Sequence, residues 1–191
     1  MLSGRRLDLL EPSPLDVEID DIAHGLARVA RWNGQTSGDH AFSVAQHSVL
    51  VWEIFCLQQK TSTADQQLIT LLHDAPEYVV GDMISPFKAV IGGDYKTVED
   101  RLLAAIHMRY SLPSETPQTL KKAIKKADGI SAYFEATQLA GFSQNEAVNF
   151  FGRPRGFSPD MFDLTPLPPQ QAQSLFLNTF TKIEMQRKNE G

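Results

Sequence analysis

Apolar residues recur along this chain at three- and four-residue intervals, and the two-residue alternation of a half-buried strand is scarce. Between Ile19 and Ala30, the residues Ile22, Leu26, Val29 and Ala30 share one face, which predicts a helix of about three turns. Phe42–Leu57 repeats Val44, Ser48, Val51 and Phe55 at the same spacing. Thr63–Val80 follows as a third helix. Thr63 is placed to cap it, with Gln66 three residues on as in a capping box, and Gly81 is placed to stop it.

The second half of the chain repeats the pattern. Tyr95–Tyr110 turns Val98, Leu102, Leu103, Ile106 and Tyr110 inward, and Pro117–Leu139 keeps Ile124, Ala127, Ile130, Phe134 and Leu139 in phase. Gln170–Gln186 closes the chain as an amphipathic helix through Leu175, Phe176, Thr179, Phe180 and Ile183. Between these lie a turn-rich loop at Asn33–Asp39, a connector at Asp82–Gly93 containing Pro86 and a Gly-Gly pair, and a long polar segment at Ala140–Pro169. A segment of that length reads equally as a cover over a site, with Arg153 and Arg155 reaching an anionic ligand, or as a solvated loop. The expected fold is an all-α, single-domain helical bundle over residues 1–191, with about six main helices.

Composition narrows the function. The 191 residues carry 42% hydrophobic and 21% charged side chains, as ordinary globular proteins do, and enough chain to bury a core unaided. A formal net charge of -5 argues against a nucleic-acid polymer as partner, because phosphate backbones select basic faces. Cys56 is the single cysteine and stands among apolar neighbours, so it reads as a small core residue. Neither a signal peptide nor a run of about 20 apolar residues is found, and the expected setting is cytoplasmic, away from membranes.

One stretch breaks these local rules. In ITLLHDAPEYVVGD (Ile69–Asp82) a histidine, an aspartate and a glutamate stand in an otherwise buried helical pattern, with a proline among them. On an ideal helical wheel His73, Asp74 and Glu77 fall within one sector of about 100°. An imidazole and a carboxylate there can hold a metal ion while a second carboxylate serves a water. Pro76 has no N–H to give this turn, which leaves the Leu72 carbonyl free or bends the helix. Taken alone, the His-Asp pair is better read as a surface ion pair or an N-cap arrangement. His47, in the apolar FSVAQHSVLVWEI, and Asp128, in KKAIKKADGISAYFEA, change that reading. With them the chain offers a His…His-Asp…Asp set on three expected helices, which a bundle can bring to one point.

The order His47, His73-Asp74, Asp128 resembles the metal signature of the HD-domain superfamily of phosphohydrolases. HDAPEYVVGDMISPFK, the preceding ARW (Ala30–Trp32) and KKADGISAYFEA resemble the bacterial 5′-deoxynucleotidase branch, over about residues 30–136. That resemblance implies one divalent transition-metal ion (Mn, Co, Fe or Zn) held by His47, His73, Asp74 and Asp128. It implies Glu77 as the catalytic residue that orients a water. It also implies Arg31 as the phosphate grip, Trp32 as a wall against a ribose 2′-hydroxyl, and Asp82 as acceptor for the sugar 3′-hydroxyl. Lys88 is family-like without a role. The implied substrate is a nucleoside 5′-monophosphate, expected in its deoxy form, and the implied assembly is a homodimer.

Other readings stand beside this one. An HD-type phosphodiesterase would keep the metal site and change the substrate, and a regulatory module would keep it without turnover; Glu77 speaks against the latter. A di-iron site needs further histidines. His107 is the one candidate for such a ligand, His40 is placed to line the cleft, and His24 has no assigned role.

Overall fold

The computed structural model describes residues 1–83, 90 and 93–190. Lys88 and Pro86, like most of the connector expected at 82–93, lie outside the described residues. The described chain is all-helical: α1 (Ile19–Leu26), α2 (Val44–Gln58), α3 (Ala64–Leu71), α4 (Glu77–Val80), α5 (Gly93–Arg109), α6 (Gln118–Gln138), α7 (Gln144–Phe151) and α8 (Pro169–Glu190). Among the described residues the only strand-like pairing is one antiparallel bridge, Ala30 with Ser43. None of the described helices is long and apolar enough to cross a membrane.

α2 is the central helix. It packs on α3, α6 and α8, and it is buried nearly all round, from Val44 to Trp52 and again at Ile54 and Phe55. A helix apolar on every side belongs in the middle of a bundle. Its start is fixed by Ser43, whose hydroxyl accepts the Gln46 N–H at 3.2 Å. Gln46, also buried, ties the late loop to this end: its amide donates to the Thr165 carbonyl and its carbonyl accepts the Leu167 N–H.

Several boundaries depart from the sequence expectations. The helix expected over Thr63–Val80 is two helices. The capping box forms as expected, with Thr63 Oγ1 accepting from Gln66 N and Gln66 Oε1 accepting from Thr63 N. The helix then ends at Leu71, and residues 72–76 run as successive tight turns. Here His73 N bonds to Thr70 O, Ala75 N to Leu72 O and Glu77 N to Asp74 O, each three residues back. The Leu72 carbonyl is therefore not free: the chain tightens, and Pro76 opens the short α4 that Gly81, at φ 78°, closes.

The first helix ends at Leu26 rather than Ala30, because residues 29–31 turn to pair with 42–44. Val44 N donates to Val29 O and Arg31 N to Phe42 O. The segment expected as a loop from Ala140 to Pro169 contains α7, started by a second capping box at Ser143 and Glu146, and a single turn of 3₁₀ helix at Pro159–Met161. On α8, Phe176, Thr179 and Ile183 face inward as expected, whereas Leu175 is 36% exposed. One residue away from Phe176 is about 100° of rotation, enough to leave the core face.

Candidate metal centre and substrate pocket

The tight turns after α3 present His73 and Asp74 toward the middle of α2 and toward α6. His47, fully buried on α2, has its Nε2 at 3.4 Å from Asp74 Oδ2 and 3.3 Å from Asp128 Oδ1. His73 Nε2 lies 3.3 Å from the same Asp74 oxygen, and the two imidazoles sit 5.5 Å apart, centre to centre. One ligand atom each from His47, His73 and Asp128 falls within a 4.8 Å cluster. The four residues marked in the sequence thus meet, although Asp74 joins through the two histidines rather than as a member of the tightest group.

The proton inventory of this cluster decides what it can hold. His47 Nδ1 faces Glu135 Oε1 at 2.5 Å, and a carboxylate has no proton to give, so Nδ1–H is the donor. His73 Nδ1 faces the Thr70 carbonyl at 2.9 Å and is the donor there by the same reasoning. Both Nε2 atoms are then left with a lone pair when the rings are neutral, and neither has a hydrogen-bond partner among the described residues. Two lone pairs and two carboxylates facing one another are all acceptors. The cluster cannot satisfy itself: a cation, protons or the O–H groups of water must be supplied to it.

The spacing suits a cation. Ligands about 2.1 Å from a common ion, at tetrahedral to octahedral angles, lie roughly 3.0–3.4 Å from each other. The donor set of nitrogen and carboxylate oxygen fits first-row divalent ions. Electrostatics point the same way. Burial and Arg31 oppose a charge on His47, but Glu135, Asp128 and Asp74 outweigh them and hold its affinity for a proton above the ordinary value. Burial likewise opposes charge on Asp74, and the two histidines overcome it, holding that carboxyl well below the usual range. The cluster is a place where positive charge is wanted.

Glu77, the first residue of α4, is 3% exposed, one tight turn beyond Asp74. Arg31 and Trp32 sit on the short 3₁₀ turn Arg31–Gly34, held beside the start of α2 by the Ala30–Ser43 bridge. Trp32 and Asn33 adopt left-handed backbone, with φ of 55° and 52°, a conformation that costs a non-glycine residue about 1–2 kcal/mol. Tertiary contacts hold Trp32 there. Its indole N–H donates to Glu135 Oε2 at 2.8 Å, and its ring packs at 5.6 Å on Phe142 and 5.9 Å on Phe151. Arg31 is gripped twice, by Glu135 through Nε at 3.2 Å and by Asp82 through Nη1 at 3.0 Å.

Glu135 is the residue that the sequence reading passed over. It is fully buried on α6 and lies against His47, Ser131, Arg31 and Trp32. A signal existed: Asp128, Ser131 and Glu135 follow one another at helical spacing, a polar stripe on a helix whose other inward residues are apolar.

Other expectations are placed differently. Arg153 and Arg155 are exposed and make no ion pair among the described residues. His40 is exposed in a groove with Arg28, Leu167 and Pro169. His107 is buried and lines a cavity of about 200 Å³ together with His73, Lys121, Lys125 and Asp128. Its Nδ1 is engaged by the Pro113 carbonyl, and it stands outside the 4.8 Å cluster. Cys56 is half-buried against the core, and burial pushes its thiol up to about 11.

Comparison with known proteins agrees with this geometry. Over 176 residues the chain is 54% identical to the uncharacterized protein RCAP_rcc00048 of Rhodobacter capsulatus, covering 92% of this chain and 90% of that one. It is 30% identical over 173 residues to the uncharacterized protein YfdR of Escherichia coli K12, covering 91% and 88%. The model of a family described as 5′-deoxynucleotidase YfbR-like matches residues 22–150, which run from within α1 to within α7 and include every residue of the cluster. The chain belongs to the YfbR-like 5′-deoxynucleotidase family, a branch of the HD-domain phosphohydrolases.

Proposed function

We propose that this protein is a metal-dependent phosphomonoesterase acting on nucleoside 5′-monophosphates, with the deoxyribonucleotides as its substrates. The observation that carries the reading is the all-acceptor cluster of His47, His73, Asp74 and Asp128 beside a buried arginine. When bound there, a divalent ion would neutralise charge gathering on the phosphoryl oxygens and acidify a water.

The remaining steps belong to side chains. Glu77 takes the proton of the attacking water and returns one to the departing 5′-oxygen, so that the P–O bond to the sugar breaks as the new one forms. Arg31 binds the phosphate. With Nε on Glu135 and one N–H of Nη1 on Asp82, its Nη2 is the nitrogen without a hydrogen bond among the described residues, and both N–H groups of Nη2 and the second N–H of Nη1 remain for the phosphate oxygens. Asp82 accepts from the sugar 3′-hydroxyl. Trp32, braced by Phe142 and Phe151, is the wall that a 2′-hydroxyl would strike without finding a partner.

The test is phosphate release from dAMP, dTMP and AMP across Mn²⁺, Co²⁺, Zn²⁺ and Mg²⁺, with wild type and Glu77→Gln. Chelator-treated protein should be inactive and should recover with added metal. Glu77→Gln should lose about 10²–10⁴ in kcat while binding Mn²⁺ as wild type does. Equal rates on dAMP and AMP would remove the sugar-wall role of Trp32, and metal-independent turnover would remove the whole reading.

A further inference from the structure

Glu135 spends its entire hydrogen-bonding capacity inside the protein. Oε1 accepts from His47 Nδ1 at 2.5 Å and from Ser131 Oγ at 2.7 Å. Oε2 accepts from Trp32 Nε1 at 2.8 Å and from Arg31 Nε at 3.2 Å. An ionised carboxylate has about four acceptor positions, so none remains to meet a substrate. The group is also fully buried, and a buried carboxylate is expensive unless its partners compensate the lost water. Here they do so from three separate places: α2, α6 and the 3₁₀ turn before α2.

We propose that Glu135 is a positioning residue that ties the two halves of the site together, one oxygen fixing His47 for the cation and the other fixing Arg31 and Trp32 for the nucleotide. This rests on the reading given under Proposed function. Oε1 sets the tautomer of His47: by taking the Nδ1 proton's hydrogen bond it leaves Nε2 with the lone pair, aimed at the space shared with Asp74 and Asp128. Oε2 sets the distance between that space and the phosphate grip, because Arg31 Nε and the indole N–H are held by one atom. The left-handed backbone at Trp32 is kept in place partly by this bond.

The two oxygens can be separated by substitution. In Glu135→Gln, one amide oxygen can serve Arg31 and Trp32 together. The amide NH₂ then faces His47 Nδ1 and demands an acceptor there, which moves the ring proton to Nε2 and removes the lone pair. In Glu135→Ala both sides are lost. Mn²⁺ affinity measured by calorimetry on the full chain, with kcat and KM for dAMP at saturating Mn²⁺ and the melting temperature, distinguishes the roles. Glu135→Gln should bind Mn²⁺ about 10–100-fold more weakly with KM close to wild type. Glu135→Ala should lose Mn²⁺ affinity and raise KM as well.

A residue that only supports the fold would move both quantities in step with melting temperature, and that pattern overturns the proposal, as does wild-type Mn²⁺ affinity in Glu135→Gln. Should neither variant fold, Ser131→Ala, which removes the second donor to Oε1, must weaken Mn²⁺ without moving KM; unchanged Mn²⁺ affinity then overturns it. The outcomes also separate the two readings. A wild-type protein inactive on all the phosphomonoesters, with Mn²⁺ affinity still lost in Glu135→Gln, removes the proposed reaction and keeps the positioning role.

Discussion

Two helix seams in this protein are crossed by charged groups, and they differ in what surrounds them. Where α2 meets α6, His47 and Glu135 are fully buried, and Arg31 reaches the same carboxylate with only 14% of its side chain exposed. Where α3 meets α8, Arg187 bonds Asp65 across the seam and Glu184 on its own helix, at 2.7 Å each, and Asp65 is 54% exposed. The distances are similar, yet water screens the second set and not the first. An exposed pair adds little to stability, whereas a buried one cannot lose a partner without stranding a charge. The α3–α8 pair is a fastening. The α2–α6 network is kept in spite of its desolvation, which fits a site that needs charge inside.

That contrast can be broken most severely at Arg31. Arg31→Ala removes the cation that Glu135 and Asp82 share, leaving Glu135 Oε2 the Trp32 N–H alone, and urea unfolding should register a loss of about 3–5 kcal/mol, beyond any loss of activity. A change within about 1 kcal/mol would mean that the network is no tighter than a surface pair.

Next in size is Gly25→Ala on α1. A Cβ there would stand 2.8 Å from Tyr78 Cβ and 2.9 Å from the Tyr78 carbonyl oxygen, the backbone that follows Glu77. Crowding should outweigh the gain of about 1 kcal/mol in helix propensity and destabilise by a net 1–2 kcal/mol or so. Because α4 is displaced, kcat should fall further than that loss explains; thermal melts and kinetics on the same preparation check both. The smallest effect is expected at the exposed seam: Arg187→Ala should change unfolding free energy by about 0.2–1 kcal/mol, less at high salt, with Mn²⁺ binding untouched.

The legible part of the site was legible for a reason. His47, His73 and Asp128 stand out in sequence because each interrupts an apolar pattern, and a polar residue in a core position implies a partner. Glu77 is placed by its helical spacing from the His-Asp pair, and Asp82 by the family resemblance. Glu135 interrupts its pattern just as plainly, yet it stands outside the His…His-Asp…Asp spacing, and its role shows only when the fold brings His47, Arg31 and Trp32 against it. The turn at 72–76 reads as helix in the sequence because apolar periodicity does not distinguish a continuous α-helix from one tightened over five residues. α7, by contrast, left a readable mark, the Ser143…Glu146 capping box, but at eight residues among Gly, Pro and polar neighbours it passes for part of a loop.

The sequence by itself determined the all-helical class, most of the helices, the capping box at Thr63, the stop at Gly81 and the identity of the residues able to hold a cation. These follow from local spacing and from what each side chain can donate or accept. Tertiary structure alone decided that His47 carries its proton on Nδ1, that Arg31 and Trp32 share one carboxylate oxygen, and that the 140–169 segment braces Trp32 through Phe142 and Phe151 rather than reaching over with its arginines. Each of those depends on atoms about a hundred residues apart in sequence approaching within a hydrogen bond or a ring contact, a coincidence that only packing of the whole chain can arrange.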